Sequence, residues 1–220
     1  LNALTSTAMT ALSTTQLSAL SSTQISALAT TRLAALDETQ IGSLNTTQVA
    51  GLTSTQLKSL STTDFGELTS TQIGAFNKTQ LGALSATNLS SLDETEFAAL
   101  DATQLGGLTA TQLGGLNETD IGEFTTTQIG ALSTTQLKAL SATNFSALSE
   151  TQMGALSSTQ LASLSTTQIR GFSTTDISEL TTTQLSGLTS TQVGALTTTA
   201  LSALDATQMG SLSATQMKGL

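Results

Sequence analysis

At 220 residues the chain is long enough for one or two ordinary domains, yet it has no Cys, no His, no Trp and no Tyr, and only 10% of its residues are charged. Without Cys there is no disulfide or thiolate metal site, and without His the usual neutral-pH base and the commonest transition-metal ligand are missing, so most enzyme mechanisms lose a part. Fifteen acidic residues against six basic ones give a net charge of −9, which repels nucleic acid phosphates and anionic membrane surfaces alike, and neither is an expected partner.

From Thr5 to Leu220 the sequence is one eight-residue unit written 27 times, and Leu1 to Leu4 are the tail of another copy. The expectation is a single uninterrupted array over 1–220. Every octad has Thr at its third place, from Thr7 to Thr215; the fifth place is Leu, Ile, Val, Met or Phe and the eighth Leu or Phe. Such monotony repeats one environment along an axis, whereas catalysis needs dissimilar groups converging on one point. With 38% apolar residues and a mean hydropathy of +0.14, the chain has more to bury than a disordered Ser/Thr tract and should fold. No apolar run approaches the ~18 residues of a membrane span. The chain opens within a repeat without a charged leader and closes on the pattern without a polar capping repeat, so the expectation is a window on a longer array or end-to-end self-assembly.

The second octad, Ser13 to Leu20, shows what the unit encodes. Ser13 followed three residues later by Gln16 is a capping box: the hydroxyl accepts from the backbone N–H of residue 16 and the amide reaches back to the N–H of residue 13. Leu12 and Leu17 occupy the flanking places of a hydrophobic staple. The first place is Ser, Thr, Asp or Asn in every octad except that of Ala29, and 18 of 27 fourth places are Gln, so each octad announces a new helix. One continuous helix is refused, because eight residues leave a residual of about 80° per repeat and the leucines would wander round its surface. A coiled coil is refused by apolar spacings of three then five. Gly at sixth and seventh places, as at Gly106, Gly107, Gly114 and Gly115, weakens a long helix further.

What remains is a helix of less than two turns, too short to persist alone in water and therefore packed on its successors. The fold class is all-α, a solenoid of very short helices, one per octad. Leu17 and Leu20 point to the coil axis, small seventh places such as Ala19 and Gly51 let neighbouring turns approach, and the Thr15 hydroxyl bonds a carbonyl while its methyl packs between turns. The competing architecture is a β-solenoid, since Thr15, Leu17 and Ala19 also alternate like the inward face of a strand.

Departures from the octad recur further along the chain. Asp replaces Gln at Asp64, Asp120 and Asp176, and Glu takes the small seventh place at Glu67, Glu123 and Glu179, each set spaced 56 residues apart. Seven octads therefore form a higher period, either a duplicated block or a whole number of superhelical turns that would align the carboxylates. These six residues are the weak candidates for Ca²⁺, but that ion takes about six to eight oxygens and no EF-hand loop or Gly-rich nonapeptide accompanies them; solvation of a nearly uncharged surface is the preferred reading, and no cofactor is expected. The cations Arg32, Lys58, Lys78, Lys138, Arg170 and Lys218 form no basic patch, and all six Phe sit at fifth or eighth places as core substitutes.

Units of the type T-T-Q-[LIV]-x-A-L, as in Ser21-Ser22-Thr23-Gln24-Ile25-Ser26-Ala27-Leu28, resemble the octapeptide arrays of very large secreted or surface-attached bacterial proteins, often labelled adhesins, hemolysin-like or haem-utilisation proteins. The resemblance covers essentially the whole chain. It implies an extracellular or cell-surface stalk or filament; it transfers no binding residue, and haem ligation through His is impossible here. The leading expectation is thus a structural, non-enzymatic spacer or filament core whose partners are further copies of itself or neighbouring repeats. The alternative is a Thr-rich binding surface for ice, glycan or polysaccharide.

Overall fold

The computed structural model describes residues 5–220. Among them the chain forms 27 short α-helices, from α1 (Ser6–Thr10) to α27 (Ala214–Met217), one per octad, and no strand. The protein is all-α, and the β-solenoid alternative is set aside. Two compact units, Leu1–Gly115 and Leu116–Leu220, divide the chain.

Each helix spans the second to the fifth, sixth or seventh place. It starts because the first place is extended, with φ between −101° and −63° and ψ between 146° and 179°, and because that residue's side chain accepts from a first-turn N–H in every octad but one. The exception is α4 (Thr30–Leu33), where Ala29 offers no side-chain cap. It stops because the eighth place turns extended again, as at Leu60 (φ −64°, ψ 131°) and Leu140 (φ −65°, ψ 139°). Two successive extended residues thus separate consecutive helices. Among the described residues none has positive φ, so the glycines are not there for left-handed turns.

Within the first unit helices pack on those three octads later, as α3 (Ser22–Ser26) does on α6 (Thr46–Ala50) and α4 on α7 (Ser54–Ser59). The second unit repeats this step, with α20 (Ser158–Ala162) on α23 (Thr182–Gly187). Every fifth-place side chain from Met9 to Val193 is buried, as is every eighth-place one from Leu28 to Leu196. Burial of some 1.5–3 kcal/mol of hydrophobic free energy per such side chain is what a helix of four to six residues lacks when isolated.

The seventh place meets the second place of the octad three earlier. A Cβ on Gly51 would stand 2.6 Å from the Ser22 Cβ, and in the second unit one on Gly171 would stand 2.9 Å from the Ala142 Cβ. Small seventh places are therefore a condition of the turn-to-turn approach. Phe replaces aliphatic core residues in stacked pairs, Phe65 with Phe76 in the first unit and Phe145 with Phe172 in the second, with centroids 6.5 and 5.5 Å apart.

The third-place threonine requires a correction. Thr15 is exposed, and so is every third-place Thr from Thr7 to Thr215. Their hydroxyls bond no carbonyl; the one side-chain hydrogen bond among them joins Thr151 Oγ1 to Ser149 Oγ at 3.1 Å. The third place lies about 200° round the helix from the buried fifth, so its side chain points outward and its methyl does not enter the core.

Candidate functional site

The most organised polar chemistry in the molecule is a ladder of fourth-place amides, and it starts from the capping box. In the second octad the Ser13 N–H donates to Gln16 Oε1 (2.8 Å) and the Gln16 N–H to Ser13 Oγ (3.2 Å). Leu17 is fully buried, Leu20 half-buried, and both Thr15 and Gln16 are exposed. From the fifth octad onward the fourth-place glutamines are buried as well, and their amide nitrogens acquire a second task. Gln56 Oε1 accepts from the Thr53 N–H (2.8 Å), while its Nε2 donates to the carbonyls of Ile25 (2.8 Å) and Leu28 (2.9 Å).

The Leu28 carbonyl lies past the helix end and accepts from no main-chain N–H, one of the acceptors a helix terminus leaves open, whereas that of Ile25 already accepts from the Leu28 N–H at 3.0 Å and gains the amide as a further donor. One side chain therefore caps the start of its own helix and the end of the helix four octads earlier. The arrangement recurs within the first unit at Gln48, Gln72, Gln80 and Gln112, and within the second at Gln152, Gln168, Gln184 and Gln216. Helices packed three octads apart and amides bonded four octads apart together define the coil. Within each unit it comes round after more than three and fewer than four octads, and seven octads, the long period of the sequence, span one step of each kind.

Residues other than Gln at the fourth place separate the two tasks. Asn88 and Asn144 do not close the box, although Asp of the same length does, and their Nδ2 instead donates to Leu60 O (3.1 Å) and Leu116 O (2.8 Å). Asp64, Asp120 and Asp176 keep the box, accepting from the N–H groups of Ser61, Asn117 and Ser173, and have no donor to send across. One oxygen of each carboxylate is thus engaged by the main chain of its own octad. Among the described residues no group of three or more acidic side chains is arranged to hold a metal.

Glu67 and Glu179 sit at the crowded seventh place. Burial raises the Glu67 carboxyl above the ordinary range, followed by the charges of Asp64, Glu38 and Asp37. Glu179 is raised likewise by burial and then by Glu150 and Asp176. Each meets the second-place Glu 29 residues earlier, so the small-residue seam is interrupted by like charges. At the fourth place of its octad, Glu96 is raised chiefly by desolvation, opposed by the hydrogen bond it accepts from Asp93 N–H.

A shallow depression of about 350 Å³ in the second unit lies between Thr166, Arg170, Ser190 and Gly219. It holds one guanidinium and several hydroxyls but no acid–base pair. No helix among the described residues is long and apolar enough to cross a membrane.

Sequence reasoning found the box but not the inter-turn donation. The available signal was the choice of Gln over Glu, 18 to one: either residue closes a capping box, but only the amide carries N–H donors.

The ALTTAQ repeat family matches this chain in four overlapping stretches of the second unit, residues 121–158, 129–166, 153–190 and 166–198. The chain is a repeat array over that region in its similarity to known sequences as well as in its own periodicity. No curated protein and no solved structure gives a match.

Proposed function

We propose that the array is a structural element of an extracellular or cell-surface protein, serving as the stalk or spacer of an adhesin-like protein or as the repeating core of a filament, and that it is not an enzyme. The observation that supports this reading is the amide ladder. Within each unit, buried Gln side chains tie their octads to ones four earlier by two or three hydrogen bonds, so stability accrues along the unit through neighbour contacts. The most regular polar groups of the molecule are all committed to holding backbone to backbone.

Electron microscopy of the purified chain, with variants lengthened by whole octads, tests the mechanical part. Separate particles whose long dimension grows with octad number support a spacer, and continuous uniform fibres support a filament core. Compact globules of unchanged proportions would overturn both. Antibody labelling of intact cells tests the location: staining that appears only after lysis would remove the extracellular assignment.

A further inference from the structure

The only residue identical in all 27 octads is one that the fold does not use. Neighbouring places vary within their chemistry: the second is Ser, Thr, Ala, Glu or Lys, and the fifth any of five apolar residues. The repeats have diverged enough for an unconstrained third place to drift, yet it is never Ser, Ala or Val. Its side chain is exposed in every octad, and apart from the Thr151 pair its hydroxyl has no partner among the described residues.

First-, sixth- and seventh-place hydroxyls are engaged, whereas second-place ones such as Thr14 and Thr62 are not, but that place also accepts Ala, Glu and Lys and so carries no comparable constraint. First-place Ser and Thr accept the cap bond and in many octads also donate to the fourth-place oxygen, as Ser157 Oγ does to Gln160 Oε1 at 2.8 Å. Sixth-place Ser turns back on the helix, as Ser186 Oγ does to Thr183 O at 2.8 Å. The third place presents one unengaged hydroxyl per octad. Its β-branched side chain is restricted at χ1, and the uniform caps give it the same backbone setting each time. A constraint that no internal contact explains lies outside the chain.

We infer that the third-place threonines are acceptor sites for O-linked glycosylation. The coil decides against a planar ligand such as ice or a crystalline polysaccharide face, because with three to four octads per turn these threonines fall on every side of each unit. A coat needs no common plane. Charge decides against phosphorylation, which would add about −1.5 to −2 per site to a chain already at −9 with only six cations. A neutral sugar also supplies solvation to a surface with few charges. In the transfer, Thr Oγ1 attacks the anomeric carbon of a sugar activated as its nucleoside diphosphate ester. The new C–O bond forms as the bond from the anomeric carbon to the phosphate oxygen breaks, the nucleoside diphosphate leaves with the electron pair, and a base of the transferase takes the hydroxyl proton.

The test compares the chain purified from the cells that produce it with the same chain made in a host lacking glycosyltransferases, by intact mass and by fragmentation that retains side-chain groups. The expected result is a mass excess in whole glycosyl increments, mapped to third-place residues such as Thr135, with Ser133 bare. Thr135→Val should remove one increment and leave the circular dichroism spectrum and Tm unchanged. Equal masses from both sources, phosphate increments, or sugar confined to first- or second-place hydroxyls would overturn the inference. So would unfolding by Thr135→Val and Thr135→Ser alike, which would give the residue an internal role; ice-growth inhibition by an unmodified native chain would return the surface to a water-binding one.

Discussion

Gln56 donates its side-chain amide to the main-chain carbonyl of Ile25, 31 residues earlier, at 2.8 Å. The same amide accepts from its own octad's Thr53 N–H. Gln56→Ala therefore removes an N-terminal acceptor, typically ~1 kcal/mol, and leaves the buried Leu28 carbonyl without a donor at ~1–3 kcal/mol, while Ile25 O keeps the Leu28 N–H. We expect a loss of roughly 2–4 kcal/mol in chemical denaturation on the sum of those two terms. Gln56→Glu should be as damaging at neutral pH and recover on acidification, since a protonated carboxyl regains a donor. A Gln56→Glu midpoint independent of pH would contradict the donor role.

First and third places should behave oppositely. Ser133→Ala deletes the acceptor of the Gln136 N–H and should cost ~1 kcal/mol. Thr135→Val removes a hydroxyl that faces solvent and should shift stability by no more than ~0.5 kcal/mol. Urea titrations of the two variants decide it, and equal losses would restore an internal bond to the threonine.

The seventh-place glutamates set a pH dependence. Burial and neighbouring charge raise Glu67 and Glu179 above 4.5, so between that value and their folded values the native state binds more protons than the unfolded one. Their contribution to stability then increases as pH falls through this window. The double variant Glu67→Gln/Glu179→Gln should melt higher than the parent at pH 7, with the gap closing as the parent is acidified below 4.5. A gap that stays constant or widens would show that the two carboxylates are not strained when ionised.

Ala29 is the one first place without a side-chain cap. Ala29→Ser should stabilise by ~0.5–2 kcal/mol, measured as a shift in denaturation midpoint at unchanged slope. Gly51→Val should do the reverse, because its Cβ would stand 2.6 Å from the Ser22 Cβ, with a penalty of ~1–3 kcal/mol for overpacking. A neutral Gly51→Val would mean that the turns separate without cost.

The sequence was most legible where its signals were local. Ser13 with Gln16 specified the cap, the five-then-three spacing of Leu12, Leu17 and Leu20 specified the interruption, and Ala19 or Gly51 at the seventh place anticipated the close approach. Thr15 misled because invariance suggests an internal constraint, whereas its direction from the helix axis is fixed by a rotation of about 200° from Leu17. The inter-turn bonds of Gln56 were hidden for a different reason. Their partners are main-chain carbonyls, which every residue has, so no side chain at Ile25 or Leu28 announces them. Only the amide's preference over the carboxylate carried the information.

In every rung of the amide ladder the donor lies downstream of its acceptors, by 28 to 31 residues. A polypeptide released amino end first would thus meet, at each newly delivered octad, acceptors already in place, and the coil would wind in the order of synthesis or export. Delivery carboxyl end first would present each amide before anything existed for it to grip. The ladder gives the winding a direction as well as strength.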